Sequence, residues 1–347
     1  MVRRQHRPRR TNTARQSKAA HEPVYAAIDL GTNNCRLLIA RPNGATFKVI
    51  DSFSRIVRLG EGLTASGKLT DDAIARTTEA LKICSQKIRR HKTCFTRSVA
   101  TEACRQASNS RNFLDHIETN TGIKLETIPP EEEAYLTLAG CLPLIDRNTE
   151  HALAFDIGGG STEIMWIGKD DQGEPVLKDT ISIRVGVVSL AERFGHKTIS
   201  SDDYRWILER ITAELDLFDS RHDISGHIAK GDIQMLGTSG TVTTLAGIHL
   251  DLPRYDRSIV DGITVDFESI TAIVSRLAQM DYETRCAHPC IRPERADLMI
   301  MGCAILDAIC RRWSVGRLRV ADRGIREGIL MAMIAENKMP QSTAAAS

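Results

Sequence analysis

The sequence predicts a duplicated α/β architecture, because the same order of elements occurs twice along the chain. Near the start, an apolar strand leads into the turn of Ala27-Ile-Asp-Leu-Gly31, and a second apolar strand leaves it. The same arrangement returns at Ala154-Phe-Asp-Ile-Gly158. In each half, three strand patterns come first and are followed by alternating helices and strands. A repeat of this length indicates two related domains in one chain.

The first half begins as an antiparallel meander, with the turn residues Pro42-Asn-Gly44 between its second and third strands. Thr70 is the predicted N-cap of a helix that extends past Ile88 at regular apolar spacing. Pro130 is favourable at the start of another helix. The strand patterns cover 24–30, 35–40, 45–53, 94–99 and 124–128, and the remaining helical patterns cover 101–119 and 131–142.

The second half repeats this order after residue 150. Its strand patterns cover 152–157, 162–167, 177–184, 232–236 and 318–320. Its helical patterns cover 187–194, 202–219, 240–249, 266–279, 294–312 and 324–337.

These patterns predict a basic disordered tail over 1–22, a first domain over 23–146, a second domain over 147–338 and a loose tail over 339–347. The closing helix 324–337 is a candidate to pack back on the first domain. Residues 1–20 contain seven Lys and Arg residues and no acidic residue, while the whole chain is near neutral at +2. A solvated tail, a tail that contacts polyanions and a transit peptide all fit this composition.

Composition excludes several classes of protein. Aromatic residues make up 5% of the chain, which argues against a stacking platform for nucleic acid and against sequence-specific nucleic-acid binding. No apolar run approaches the roughly 18 residues of a membrane span. The nine cysteines show no regular pairing, which predicts reduced thiols and a cytoplasmic protein. Cys286-Ala-His-Pro-Cys290 matches no common zinc spacing.

Both aspartate turns combine a carboxylate with small residues whose backbone amides are able to face one ligand. The first copy contains Gly31, Thr32, Asn33 and Asn34, and the second contains Gly158, Gly159, Gly160 and Ser161. Either copy alone is compatible with an ordinary hairpin. Because Asp29 and Asp156 would repel a phosphate group, the repeat predicts a phosphate site in which a cation lies between carboxylate and phosphate.

Two further segments are candidates for this chemistry. Leu236-Gly-Thr-Ser-Gly-Thr241 follows a strand and opens a helix, where backbone amides favour an anion, although plain capping explains the same residues. Glu131-Glu-Glu133 opens another helix, where carboxylates either complement the helix dipole or supply a base for water. Candidates to neutralise phosphate are Arg55, Arg58 and Arg105.

Eight segments occur in one order that resembles the exopolyphosphatase and guanosine pentaphosphate phosphatase (Ppx/GppA) family. They are Ala26-Ala-Ile-Asp-Leu-Gly-Thr-Asn-Asn34, Arg58-Leu-Gly-Glu-Gly62, Ala100-Thr-Glu-Ala-Cys-Arg-Gln-Ala107, Glu132-Glu-Ala134, Phe155-Asp-Ile-Gly-Gly-Gly-Ser-Thr-Glu163, Gly186-Val-Val-Ser189, Leu236-Gly-Thr-Ser-Gly-Thr241 and Gly324-Ile-Arg-Glu-Gly328. The resemblance covers about residues 24–335. One departure is Asn34, where the family often has Ser.

The resemblance implies two actin-like (ribonuclease H-like) ATPase domains that face each other across a cleft. It implies that Glu133 is the catalytic base and that Glu163 supports the metal and water arrangement. Asp29 and Asp156 would hold Mg²⁺ or another divalent cation through its water shell. The implied phosphate-binding residues are Gly31, Thr32, Asn33, Asn34, Arg58, Arg105, Gly158, Gly159, Gly160, Ser161, Thr162, Gly237, Thr238, Ser239 and Gly240.

Several functions remain open at this point. The leading hypothesis is release of terminal orthophosphate from inorganic polyphosphate, and the nearest alternative is removal of the 5′ terminal phosphate of guanosine pentaphosphate. A kinase of the same fold and a non-catalytic sensor of polyphosphate or nucleotide are the other classes. The resemblance also suggests a homodimer.

Overall fold

The described residues, 22–44, 46–195 and 198–338 of a computed structural model, form two mixed β-sheets with helices packed on them. The strands are β1 Tyr25–Leu30, β2 Asn34–Asn43, β3 Thr46–Ile56, β4 Phe95–Ala100, β5 Glu126–Thr127, β6 His151–Ile157, β7 Thr162–Lys169, β8 Pro175–Ile183, β9 Ile233–Thr238, β10 Thr264–Asp266 and β11 Arg317–Ala321. The predicted tails lie outside the described residues, apart from Glu22.

Fourteen α-helices connect these strands in the part of the chain that the structure describes. They are α1 Leu63–Ser66, α2 Asp71–Arg90, α3 Glu102–Gln106, α4 Ser110–Thr121, α5 Pro130–Cys141, α6 Val187–Phe194, α7 Ser201–His222, α8 Ile224–Lys230, α9 Gly240–His249, α10 Arg257–Val260, α11 Phe267–Gln279, α12 Tyr282–Ala287, α13 Met299–Arg312 and α14 Ile325–Lys338. None of the helices in the described ranges is both long and apolar enough to cross a membrane.

The two sheets share one plan, which confirms the predicted α/β duplication. The first has the order β3-β2-β1-β4-β5, and the second has the order β10-β11-β9-β6-β7-β8. In each sheet, three consecutive strands form an antiparallel meander, and the first of them pairs in parallel with a later strand: β1 with β4, and β6 with β9. Asp29 and Asp156 therefore lie near the carboxyl ends of two equivalent central strands.

The main differences from the predicted elements concern helices. The helical patterns predicted over 101–119 form two helices, α3 and α4, because the chain is extended at Ala107 before α4 begins. Helix α13 begins at Met299 rather than near residue 294, since Pro293–Arg295 forms a separate 3₁₀ turn. The short elements α8, α10, β10 and α12 were not predicted.

Two helices connect the halves. Helix α14 comes from the end of the chain, but its apolar face packs on the first sheet, where Ile329 and Leu330 join Tyr25 and Ala27 in one buried cluster. Helix α5 comes from the first half and buries Ala134 and other apolar side chains against the second sheet. Each half thus packs its last helix on the sheet of the other half.

Helices α5 and α14 also cross at very short range. A Cβ atom added to Gly140 would lie 3.0 Å from the carbonyl carbon of Gly324 and 3.1 Å from the backbone nitrogen of Gly328. A Cβ atom added to Gly328 would lie 2.8 Å from the carbonyl carbon of Leu136. Glycine is therefore required at both positions for the backbones to approach this closely.

Candidate active site

The two aspartate turns have the same local geometry. The Gly31 N–H donates to the Asn34 carbonyl at 2.9 Å, and the Gly158 N–H donates to the Ser161 carbonyl at 2.9 Å. Each bond closes the turn that joins the first and second strands of its meander. The duplicated sequence therefore folds into two equivalent turns at the carboxyl ends of β1 and β6.

These turns lie against each other. A Cβ atom on Gly159 would lie 2.9 Å from the Thr32 Cβ and 3.1 Å from the Asn33 backbone nitrogen, and one on Gly160 would lie 2.9 Å from the Thr32 Oγ1. The absence of side chains at residues 159 and 160 lets the second turn approach the first. The run of glycines, which weakens a strand in isolation, thus closes one end of the cleft.

Acidic side chains are concentrated beside the turns. Asp29, Glu133 and Glu163 are almost fully buried, with exposed fractions of 8%, 8% and 2%. Asp156 is partly buried at the end of β6. Buried carboxylates lose the solvation of their charged form, and neighbouring negative charges add to this effect. Both causes raise the pKa of Asp156 to about 8: burial has the larger effect, and the charge of Glu163 comes next.

Arg105 links two of the acidic residues. Its Nη1 donates to the Glu133 Oε2 at 2.7 Å and to the Ile128 carbonyl at 2.9 Å, and its Nε donates to the Glu102 Oε2 at 2.8 Å. The sequence predicted that Arg105 contacts phosphate, whereas here the guanidinium contacts carboxylates. The pKa of Glu133 still lies well above its ordinary value, because burial and the Glu163 charge outweigh the opposing effect of Arg105.

Glu163 is held by two hydroxyl groups. Ser161 Oγ donates to the Glu163 Oε1 at 2.6 Å, and Ser182 Oγ donates to the same oxygen at 2.9 Å. Burial raises the pKa of Glu163, and these hydrogen bonds oppose the rise. Ser161 therefore positions an acidic side chain as well as forming part of the second turn.

A cavity of about 350 Å³ lies between the halves. Both turns line it, as do Asp29, Glu133, Asp156 and the third predicted turn at Thr238, Ser239 and Gly240. Ser239 caps α9, since its Oγ accepts a hydrogen bond from the Val242 N–H at 3.0 Å. The positive end of α9 therefore borders the cavity.

Six arginines line the cavity, of which Arg257 and Arg326 also pair with Glu327, and Arg323 also pairs with Asp261. We call the following residues the arginine wall: Arg36, Arg257, Arg292, Arg295, Arg323 and Arg326. Burial, together with the neighbouring charges of Arg36 and Arg292, lowers the pKa of Arg295 to about 10. Burial also lowers the pKa of Arg326. Several cations placed close together, with partial loss of their solvation, are typical of a site that binds a polyanion.

Four predicted phosphate ligands have other contacts. Arg58 joins the two halves, because its Nη2 lies 2.9 Å from the Asp297 Oδ2 and donates to the Glu294 carbonyl at 3.1 Å. Arg105 is paired with carboxylates, as described above. Gly237 lies under Phe155, whose ring would be 2.6 Å from an added Cβ. Thr162 is buried and donates to the Val185 carbonyl at 2.7 Å. Direct phosphate contacts by these residues remain predictions.

In the described residues, Cys290 of the cluster at 286–290 makes hydrogen bonds with protein groups. Cys290 Sγ donates to the Leu252 carbonyl at 3.3 Å, and the Cys290 N–H donates to the His288 Nδ1 at 3.2 Å. All nine cysteines are free thiols.

Sequence reasoning missed two parts of the site. Glu102 was quoted within a motif but given no role, although its early position in helix α3 beside Arg105 was a usable signal. The arginine wall comes from well-separated segments, so only the fold brings its members together.

With this geometry in view, the comparison with known proteins is decisive. A model of the Ppx/GppA phosphatase family matches residues 38–337. The chain belongs to this family. It is accordingly a hydrolase that acts on phosphoanhydrides, and its two sheets are those of the actin-like ATPase fold.

The relatives match over nearly their full length. Exopolyphosphatase 2 of Mycobacterium tuberculosis is 29% identical over 326 residues, which are 89% of this chain and 98% of that protein. The Ppx/GppA family member of Aquifex aeolicus, solved as a crystal structure, has a TM-score of 0.73 at 25% identity and covers 92% of this chain and 99% of its own. An exopolyphosphatase from Cytophaga hutchinsonii has a TM-score of 0.81 at 23% identity, covers 90% of this chain and 98% of its own, and supports the fold.

Proposed function

We propose that this Ppx/GppA family member is an exopolyphosphatase, which releases the terminal orthophosphate of inorganic polyphosphate. The observation that carries the proposal is the position of Glu133. Its buried carboxylate lines the same cavity as the two phosphate-binding turns and is held there by Arg105 at 2.7 Å. The name of the Mycobacterium tuberculosis relative supports the same substrate class.

In this reaction, a water oxygen forms a bond to the terminal phosphorus while the bridging P–O bond of the anhydride breaks. The electron pair of the broken bond stays with the shortened chain, and one proton of the water passes to the Glu133 carboxylate. Catalysis of phosphoryl transfer consists mainly of positioning the reactants and stabilising charge. Helix α5 supplies the position, because Pro130 begins it and Glu133 follows within its first turn.

The environment of Glu133 suits a general base. Burial and the Glu163 charge raise its pKa, and Arg105 limits the rise. A base is most effective when its pKa lies near the working pH, because it is then both deprotonated and able to hold a proton. Arg105 is proposed to act here by orienting Glu133 and by setting its pKa, together with Glu102.

The acidic residues of the cleft fit a divalent cation, for which we propose Mg²⁺. Asp29 and Asp156 are held near each other with raised pKa values, chiefly because they are buried, and a bound cation would relieve that cost. Among the described residues, neither aspartate belongs to a group of three or more His, Cys, Asp or Glu side chains whose ligand atoms all lie within 4.8 Å of one another. The arrangement therefore suits an ion that keeps part of its water shell. When bound, such an ion would neutralise phosphate charge.

The two turns and the arginine wall are proposed to bind different phosphates of the substrate. Amides and side chains of residues 31–34 and 158–161 are proposed to bind the terminal phosphate beside Glu133. The arginine wall is proposed to bind the following phosphates of the chain, since guanidinium groups match phosphate oxygens in charge and geometry. The α9 N-terminus at Ser239 and Gly240 lies between these regions on the cavity surface.

Guanosine pentaphosphate is the second substrate that the same site chemistry admits. A bound guanine would favour an aromatic stacking partner. Tyr255 is the one aromatic side chain among the described residues that line the cavity, and its hydroxyl donates to the Asp322 carboxylate. The described lining of the cavity contains six arginines and one aromatic side chain, which favours a substrate made of phosphates alone.

The test compares phosphate release from long-chain polyphosphate and from guanosine pentaphosphate by purified full-length protein with Mg²⁺. We expect faster release from polyphosphate. Glu131→Gln is a matched control for Glu133→Gln, since Glu131 is exposed on the same helical turn. Faster release from the nucleotide would overturn the substrate assignment, and release from neither would overturn the proposed function.

A further inference from the structure

A second cluster of ligating side chains lies at the opposite end of the second sheet. His151 is the first residue of β6, whose other end carries Asp156. The five residue-to-residue steps of strand between them span about 16 Å. His227 lies in α8, and Asp232 lies between α8 and β9. The cluster therefore belongs to the second half alone and is separate from the cleft.

The three side chains converge on one point. One ligand atom from each of His151, His227 and Asp232 lies within 4.8 Å of the others, and this is the single group of three or more His, Cys, Asp or Glu residues with that property in the described ranges. The backbone holds them together, because the His151 N–H donates to the Asp232 carbonyl at 3.2 Å. The pairing of β6 with β9 therefore brings His151 to Asp232, and helix α8 supplies His227.

The distances suit an ion better than a direct hydrogen bond. The His227 Nδ1 lies 3.3 Å from both carboxylate oxygens of Asp232. A charge-assisted hydrogen bond of this type is normally about 2.7–2.9 Å long. In a tetrahedral zinc site with bonds of about 2.1 Å, neighbouring ligand atoms are about 3.4 Å apart. The Nδ1 of His151 is buried and has no hydrogen-bond partner among the described residues.

The surroundings fix the two rings. Trp166 stacks on His151, with ring centroids 4.8 Å apart and an angle of 9° between the planes. The rings of His151 and His227 have centroids 3.9 Å apart. Burial and the neighbouring His227 lower the pKa of His151, which favours the neutral form that a metal ion requires.

We propose that His151, His227 and Asp232 form a site for a divalent transition-metal ion of the zinc type. Two imidazole nitrogens and one carboxylate oxygen are ligands that zinc accepts, and water would complete the coordination. The bound ion would tie α8 to the amino-terminal ends of β6 and β9, and would thereby stabilise the second half without entering the hydrolytic reaction.

The experiment uses the full-length protein after removal of metal, titrated with Co²⁺ and with Zn²⁺. We expect one ion per chain at this site, with the visible absorption of Co²⁺ bound to nitrogen and oxygen. Strong near-ultraviolet absorption would instead indicate thiolate ligands and would overturn the assignment. His227→Gln should weaken binding by more than about tenfold, a loss of at least 1.4 kcal/mol.

His222→Gln is the matched control. This histidine stacks on Trp166 at 6.1 Å but pairs with Asp179 through its Nε2 at 2.7 Å, so binding should be unchanged. Zn²⁺ should also raise the melting temperature of the unmodified protein and of His222→Gln, but not that of His227→Gln. This readout remains informative if the variant is less stable. Equal affinity in His227→Gln, or no ion bound by the unmodified protein, would overturn the proposal.

Discussion

Arg36 and Glu163 occupy equivalent positions in the two halves of the molecule. Arg36 lies opposite Asp29 in the pairing of β1 with β2, and Glu163 lies opposite Asp156 in the pairing of β6 with β7. One copy of the repeat therefore places a cation beside its aspartate, and the other places a second carboxylate. We propose that this asymmetry lets Arg36 contribute to binding of the phosphate chain, while Glu163 contributes to the acidic region beside the cation and the reactive water.

Substituting Arg105 should move the acidic limb of the pH profile. The Arg105 charge lowers the pKa of Glu133, so Arg105→Gln should raise that pKa further. A base with a higher pKa stays protonated up to a higher pH, so the acidic limb of kcat should shift to higher pH. The measurement is kcat for polyphosphate between pH 5 and pH 9, with the exposed Arg111→Gln as control. A fall in kcat with an unchanged limb would contradict the assigned role.

Asp156 should make the metal-free protein less stable as the pH rises. The folded pKa of about 8 exceeds the ordinary value of 3.8, so the folded state binds the proton more tightly than the unfolded state. Stability is then greatest below the ordinary value and falls by about 1.4 kcal/mol per pH unit up to the folded pKa. Asp156→Asn should remove most of this slope while lowering activity. The test is urea unfolding of the unmodified protein and of Asp156→Asn in EDTA at pH 5 to 8. The same dependence of unfolding free energy on pH in both proteins would refute the prediction.

Adding a side chain between the turns should impair the reaction more than the fold. In Gly159→Ala the new Cβ would meet Thr32 and Asn33, which forces the turns apart. Overpacking of this kind costs about 1–3 kcal/mol. We expect kcat/KM to fall by more than about tenfold, because catalysis depends on positioning to within an ångström. Gly168→Ala is the control, since its neighbour is the flexible Lys178 side chain. Equal activity in both variants would contradict the prediction.

The crossing of α5 and α14 should tolerate no side chain at Gly328. A methyl group there would lie 2.8 Å from the carbonyl carbon of Leu136, which belongs to a helix backbone and is not free to rotate away. Gly328→Ala should therefore lose about 1–3 kcal/mol of unfolding free energy, although alanine is the better helix former. Urea unfolding measures the loss. A more stable variant would show that the helices separate easily.

Removing one member of the arginine wall should weaken binding without slowing the chemical step. Arg292 lines the cavity and is exposed, so Arg292→Gln should leave the fold intact. We expect KM for long-chain polyphosphate to rise about tenfold, which corresponds to 1.4 kcal/mol, with kcat unchanged. Steady-state kinetics at fixed ionic strength provide the test. An unchanged KM would show that Arg292 does not contribute to substrate binding.

The central strands and both turns were predictable because their signals are local. Apolar runs ending in Asp and Gly occur twice, and the first meander follows from the turn residues Pro42-Asn-Gly44 between its strands. Elements α8, α10, β10 and α12 were missed because they contain 7, 4, 3 and 6 residues, too few for periodicity to show. The arginine wall and the salt bridge of Arg58 with Asp297 depend on long-range packing that no local pattern encodes.

The proposed role of Glu133 as the catalytic base is best tested by measuring polyphosphate binding and hydrolysis side by side in Glu133→Gln. The substitution removes the base but keeps the size of the side chain. We expect the variant to bind long-chain polyphosphate with nearly unchanged affinity, while phosphate release falls by about 10²–10⁴-fold. Hydrolysis at the rate of the unmodified protein would contradict the assignment of Glu133 as the catalytic base.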